Sequence, residues 1–84
     1  MNARAMADTC RAEGRNYKEL GDYNKALECY NTAVELEDNN PYNYYERAYC
    51  LTDKYYRESK DAKLLVQAND DFAKARELFS TWDD

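Results

Sequence analysis

Residues 21 to 41 read Gly21-Asp22-Tyr23-Asn24-Lys25-Ala26-Leu27-Glu28-Cys29-Tyr30-Asn31-Thr32-Ala33-Val34-Glu35-Leu36-Glu37-Asp38-Asn39-Asn40-Pro41. Gly21 tolerates the left-handed backbone that ends a preceding helix. Asp22 offers a short acceptor side chain that caps the next one. Tyr23, Ala26, Leu27, Tyr30, Ala33, Val34 and Leu36 or Glu37 recur at three- and four-residue spacing, the stripe of one amphipathic helix. Asn40 and Pro41 suit the cap and first turn of the helix that follows. Small Ala26 and Ala33 flank bulky Tyr30, so another helix can come close. The stretch is a helix stop, a helix and a second helix start.

The same logic extends outward. Cys10, Gly14 and Tyr17 make a stripe before Gly21, and Tyr44, Ala48, Leu51 and Tyr55 make one after Pro41. Leu65, Ala68, Phe72, Ala75, Phe79 and Trp82 keep one face of the last segment apolar. The spacing predicts four helices at about 4–20, 22–37, 41–58 and 61–81, the last roughly 30 Å long. Tyr30 and Phe72 are the expected buried anchors of two hairpins.

The small-large-small run resembles the second helix of a tetratricopeptide repeat. The family pattern falls on Gly14 and Tyr17, then on Ala26, Tyr30, Ala33 and, slightly shifted, Pro41. Cys10 stands where a bulkier residue is usual, and Glu13 where Leu is common. Repeat one spans about 7–40 and repeat two about 41–82, within a single domain covering 1–84. Ala68 lies 42 positions after Ala26, so the second copy carries about 8 residues beyond the family period of roughly 34. They fall between Leu51 and Ala68, where neither Gly nor Pro occurs, and are expected to lengthen helices around a turn near Ser59 to Asp61. The resemblance implies an all-α fold, two antiparallel helical hairpins stacked as a short right-handed solenoid.

Composition sets outer bounds. Eighty-four residues with two glycines and one proline suit one small helical domain. No apolar run reaches membrane-span length and no signal-peptide core opens the chain, so a soluble, cytoplasmic protein is expected. A net charge of −5 speaks against nucleic acid and anionic membranes as partners. Cys10, Cys29 and Cys50 are widely spaced and the chain has no His, so neither a metal site nor a Cys-His nucleophile is expected. The cysteines read as packing residues or reduced thiols. The carboxylate clusters at Glu35, Glu37 and Asp38 and at Asp70-Asp71 read as solvated faces and Asp83-Asp84 as a fraying polar end, since acid-base chemistry needs a cleft that sets their pKa values apart. No cofactor and no catalysis are expected.

Charge alternates along the chain. Segments 1–20 and 41–60 are each net +1, whereas 21–40 is −4 and 61–84 is −3. In the resembling family the first helix of each pair lines a concave groove, which makes that groove the less acidic side. Arg11, Arg15 and Lys18 share one face of the first helix at spacings of four and three. Tyr42, Tyr45, Tyr49, Thr52 and Tyr56 form a stripe on the third. A basic row beside a tyrosine row suits an extended acidic peptide, because arginine supplies charge-assisted hydrogen bonds and tyrosine a rigid apolar surface with a polar tip. The heat-shock chaperone carboxylate clamp of this family fits badly. Arg15 replaces one of its asparagines, and Glu46 stands where another belongs and would repel a carboxylate.

The sequence thus reads as a non-catalytic protein-interaction module. The alternative is a structural or self-assembling repeat fragment, excised or artificial, with no separate ligand. Leu78, Phe79 and Trp82 at the end of the last apolar stripe are the expected self-association surface.

Overall fold

The computed structural model describes residues 2–82 and contains four helices. They are α1 (Ala3–Glu19), α2 (Tyr23–Leu36), α3 (Pro41–Arg57) and α4 (Ala62–Phe79). Each begins at a capping side chain. Asn2 accepts from the Ala5 amide at 2.8 Å, Asp22 from Lys25 at 3.1 Å, Asn40 from Tyr42 at 2.9 Å and Asp61 from Lys63 at 3.0 Å. These side chains satisfy amides that have no partner within the helix. Gly21 has φ +81°. Its amide donates to the Lys18 carbonyl and that of Asp22 to the Tyr17 carbonyl, both at 2.9 Å, the paired closure that ends a helix through a left-handed residue.

The expected boundaries hold to within a residue or two, with α4 ending at Phe79 rather than near residue 81. With Gly14 and Ala48 set in register, α3 runs four residues further than α1. The connecting turn is one residue longer in the second hairpin, and α4 starts three residues earlier than α2 relative to Ala68 and Ala26. The second hairpin is thus eight residues longer between these points, and most of the difference lies in helix.

Packing follows the chain order. α1 packs closely on α2, and α3 on α4; α2 bridges the hairpins through α3, and α1 meets α3 along a narrow seam. One cluster gathers Tyr23, Ala26, Tyr30 and Cys50 with Tyr17 and Leu27 around it, and another gathers Ala48, Leu51 and Ala68 with Leu27, Leu64 and Phe72. Leu27 touches both clusters and joins the hairpins. Tyr30 is fully buried as expected, while Phe72 is only half-buried. The difference has a physical cause. Cys50 of α3 packs in the cluster around Tyr30, whereas Phe72 lies on the open side of α4 and is met by the edges of Tyr45 and Tyr49.

All three cysteines are free thiols, with Cys50 buried and the others half-buried. Burial, more than any neighbouring charge, pushes each thiol pKa upward. No helix is long and apolar enough to cross a membrane among the described residues.

Candidate functional site

The seam between α1 and α3 is built around Asn43, which is fully buried. Its carboxamide donates to the carbonyls of Ala33 at 3.0 Å and Glu37 at 2.7 Å, closing the end of α2. Its oxygen accepts from Arg11. Arg11 also donates to Asp8 and lies 3.7 Å from Glu46. One arginine and one asparagine thereby tie together three helices.

The expected basic row is a different object in three dimensions. Arg11 is read from the sequence as an exposed groove residue; in the structure it is 9 % exposed, with one donor turned inward to Asn43 and another held by Asp8. Buried charge persists only when paired and hydrogen-bonded, and Arg11 meets both conditions. Arg15 remains half-exposed, and one of its terminal nitrogens donates to both oxygens of Glu46, at 2.7 and 2.8 Å. Lys18 lies 4.0 Å from Asp53. Each member of the row thus faces a carboxylate, two of them through Glu46. Coulombic attraction across exposed pairs of this kind is small, so Arg15 and Lys18 can exchange partners at low cost.

The tyrosine row keeps its surface. Tyr42, Tyr45, Tyr49 and Tyr56 are exposed, while Thr52 turns back to the Ala48 carbonyl at 2.9 Å. Tyr45 and Tyr49 meet edge to face at 4.9 Å, and the Tyr45 hydroxyl donates to that of Tyr49 at 3.3 Å. That hydrogen bond holds the Tyr45 proton and raises its pKa. Tyr42 meets Phe79 at 5.1 Å and Tyr45 meets Phe72 at 5.9 Å. The row is therefore a rigid aromatic shelf braced from behind by α4. Tyr56 stands apart, beside Tyr55 and under Lys60.

A polar cavity of about 360 Å³ opens where the two rows meet, lined by Arg4, Asp8, Arg11, Arg15, Asn40, Tyr42 and Glu46. Arg4 was not among the residues singled out above. The signal for it exists, since it lies seven positions before Arg11 and so on the same helical face. The Arg4 guanidinium sits 5.0 Å over the Trp82 ring, which places Trp82 beside one of the residues that line this cavity. Of the expected self-association residues, Phe79 packs against Tyr42 and Tyr45, Leu78 is half-buried, and Trp82 is half-buried against Arg4.

Among the described residues no group of three or more His, Cys, Asp or Glu side chains is arranged to hold a metal ion. In comparisons with known proteins, residues 14–51 match the family model of the TPR repeat. The matched stretch runs from the glycine of α1 through α2 to Leu51 in the core of α3. No curated protein and no solved structure matches the chain.

Proposed function

We propose that this chain, whose residues 14–51 match the family model of the TPR repeat, is a TPR-type module that uses the seam between α1 and α3 to hold an extended acidic peptide. TPR repeats are protein-interaction modules, typically without catalytic activity of their own. The observation that carries the finer reading is the half-exposed Arg15, paired with Glu46, beside the exposed shelf of Tyr42, Tyr45 and Tyr49. An incoming carboxylate replaces Glu46 on Arg15, its neighbouring apolar side chains lie on the tyrosine rings, and Lys18 is released from Asp53 in the same way. Each exchange trades one exposed ion pair for another, so the net gain is modest. Affinity on the order of micromolar or weaker follows, falling with salt.

An unbiased display library of linear peptides tests this. Selected peptides should be rich in Asp and Glu with an apolar neighbour. Arg15→Glu should weaken them by about tenfold or more, equivalent to ~1.4 kcal/mol. Because the new carboxylate also faces Glu46, the neutral Arg15→Gln is the companion variant, weakening binding with the thermal midpoint nearly unchanged. Glu46→Gln should tighten binding, because it removes the internal competitor. Arg11 is unsuitable for this test, since its reversal would break the buried network. Selection of neutral or basic peptides, or indifference to Arg15→Glu, would overturn the assignment.

A second reading, a self-associating structural unit, is favoured by one observation. Tyr45, Tyr49 and Phe79 leave aromatic surface exposed on the open side of the second hairpin. Sedimentation across a wide concentration range decides it. A mass that rises with concentration and reverts in Phe79→Lys supports association through that face, and a constant monomer mass rejects it.

A further inference from the structure

On the side away from α1, the molecule has a second hollow. α2 and α4 do not pack on each other, and the gap between them is a cavity of about 390 Å³ floored by α3. Each helix contributes residues about one turn apart: Leu27 and Asn31, Arg47 and Leu51, Gln67 and the Asp70-Asp71 pair. Leu27 and Leu51 make one end apolar. The other end is polar and already satisfied. Arg47 donates to both oxygens of Asp71 at 2.7 and 2.8 Å and to Asn31 at 3.1 Å, and its guanidinium lies 5.5 Å from the centre of the Tyr44 ring. Asp71 is 8 % exposed, so its charge is spent on Arg47.

Asp70 is left over. It is exposed at the rim and has no ion pair or hydrogen-bonded side-chain partner among the described residues. The cavity therefore combines an apolar wall, two carboxamides and one surplus negative charge. The surrounding field has the same sign, because Glu28 and Glu35 are exposed on α2 and segment 21–40 is net −4. An anion finds no available cation here, since Arg47 is fully engaged. A neutral apolar group would leave Asp70 unused.

We propose that this cavity is a docking site for a basic side chain, lysine or arginine, of a partner protein. The aliphatic stem lies along Leu27 and Leu51 while the cationic head stays at the rim against Asp70 and the Gln67 carboxamide oxygen, the arrangement long basic side chains favour at a wet edge. The volume falls within the range of small-ligand pockets, and the acidic wall raises the local concentration of cations. α1 does not line the cavity, so occupation of this site is separate from occupation of the seam between α1 and α3.

The test uses the whole chain labelled with ¹⁵N and two probes. One is Nα-acetyl-lysine methylamide; the other is its norleucine counterpart, with a similar stem and no charge. The lysine probe should shift the side-chain amide signals of Asn31 and Gln67 saturably. Asp70→Asn should weaken it about three- to fivefold, the range of one exposed charge pair, and the norleucine probe should bind more weakly by a similar factor. Added salt should weaken only the lysine probe, a check that needs no variant. Equal binding of the two probes, indifference to Asp70→Asn and salt, or shifts confined to Arg15 and Tyr45, would each overturn the proposal.

Discussion

A Cβ atom added to Gly14 would lie 2.8 Å from Cζ of Tyr30 and 2.9 Å from its Cε1. The Tyr30 ring is fully buried, so it has little room to withdraw. α1 and α2 approach this closely because a hydrogen atom replaces a side chain at the crossing. Alanine at position 14 gains about 1 kcal/mol of helix propensity but overpacks a rigid ring, which costs about 1–3 kcal/mol. Gly14→Ala should be destabilising by about 1 kcal/mol, lowering the thermal midpoint by about 4–8 °C in a domain of this size. A raised midpoint in calorimetry would show that the ring yields.

The Tyr30 hydroxyl is buried and finds no hydrogen-bond partner among the described residues. Burial raises its pKa, and the nearby Glu46 adds to the effect. A buried donor without a partner costs free energy that phenylalanine does not incur. Tyr30→Phe should therefore stabilise the fold by about 1 kcal/mol in urea titrations. A loss of similar size would mean that the hydroxyl holds an internal water.

Asn43→Ala removes a side chain that serves Arg11 and two carbonyls at the end of α2. The arginine is left buried with one partner fewer, and both carbonyls lose an inward donor. A loss of about 2–4 kcal/mol is expected. Amide exchange in the last turn of α2 should rise with it. A change under about 0.5 kcal/mol, typical of surface sites, would show the network to be dispensable.

Phe72→Ala should cost about 2 kcal/mol. That is below the roughly 3–5 kcal/mol of a fully buried phenylalanine, because its ring is only half-buried beneath Tyr45 and Tyr49. A full-sized loss would indicate that its open side is covered in solution, and sedimentation of the parent would then show an oligomer.

Alkali should unfold this protein earlier than its ion pairs alone suggest. Burial pushes the Cys50 thiol from 9.0 up to about 12. Below its ordinary pKa both folded and unfolded chains hold the proton, and the stabilisation is fully present. Between those values only the unfolded chain ionises and binds fewer protons, so stability falls as pH rises through the folded pKa. The slope is at most about 1.4 kcal/mol per pH unit. Urea titrations from neutral pH to about pH 11 should show this decline, and Cys50→Ala should flatten it. An unchanged slope in that variant would place the effect on Tyr30 or on the other two thiols, whose pKa values are also raised.

How much of this was legible in advance depends on the range of the interaction. Gly21, Asp22, Asn40 and Pro41 act on amides and carbonyls within a few residues, and the helices end and begin where they stand. Ala26, Tyr30 and Ala33 mark their buried face by spacing alone, and all three are fully buried. The role of Arg11 is not legible locally, because the spacing that puts it in line with Arg15 cannot tell which of the two meets a carboxamide from another helix. Arg4 lies seven residues before Arg11 on the same helical face, a spacing that the sequence displays. Nothing local announces that Trp82 ends beside it.

The chain by itself therefore determined its helices, their stops and the apolar stripes by which they pair, since caps and periodicity operate within one or two turns. Tertiary structure alone decided the fate of the charges. Arg11 became internal because Asn43, 32 residues away, arrives beside it when α3 docks; Arg15, four positions on, stayed half-exposed with the more buried Glu46 as its partner. Arg47 was likewise claimed by Asp71 from α4, leaving the adjacent Asp70 at the rim. Burial and partnership set what a charge is worth, and both depend on which distant side chains the packing brings within hydrogen-bond reach.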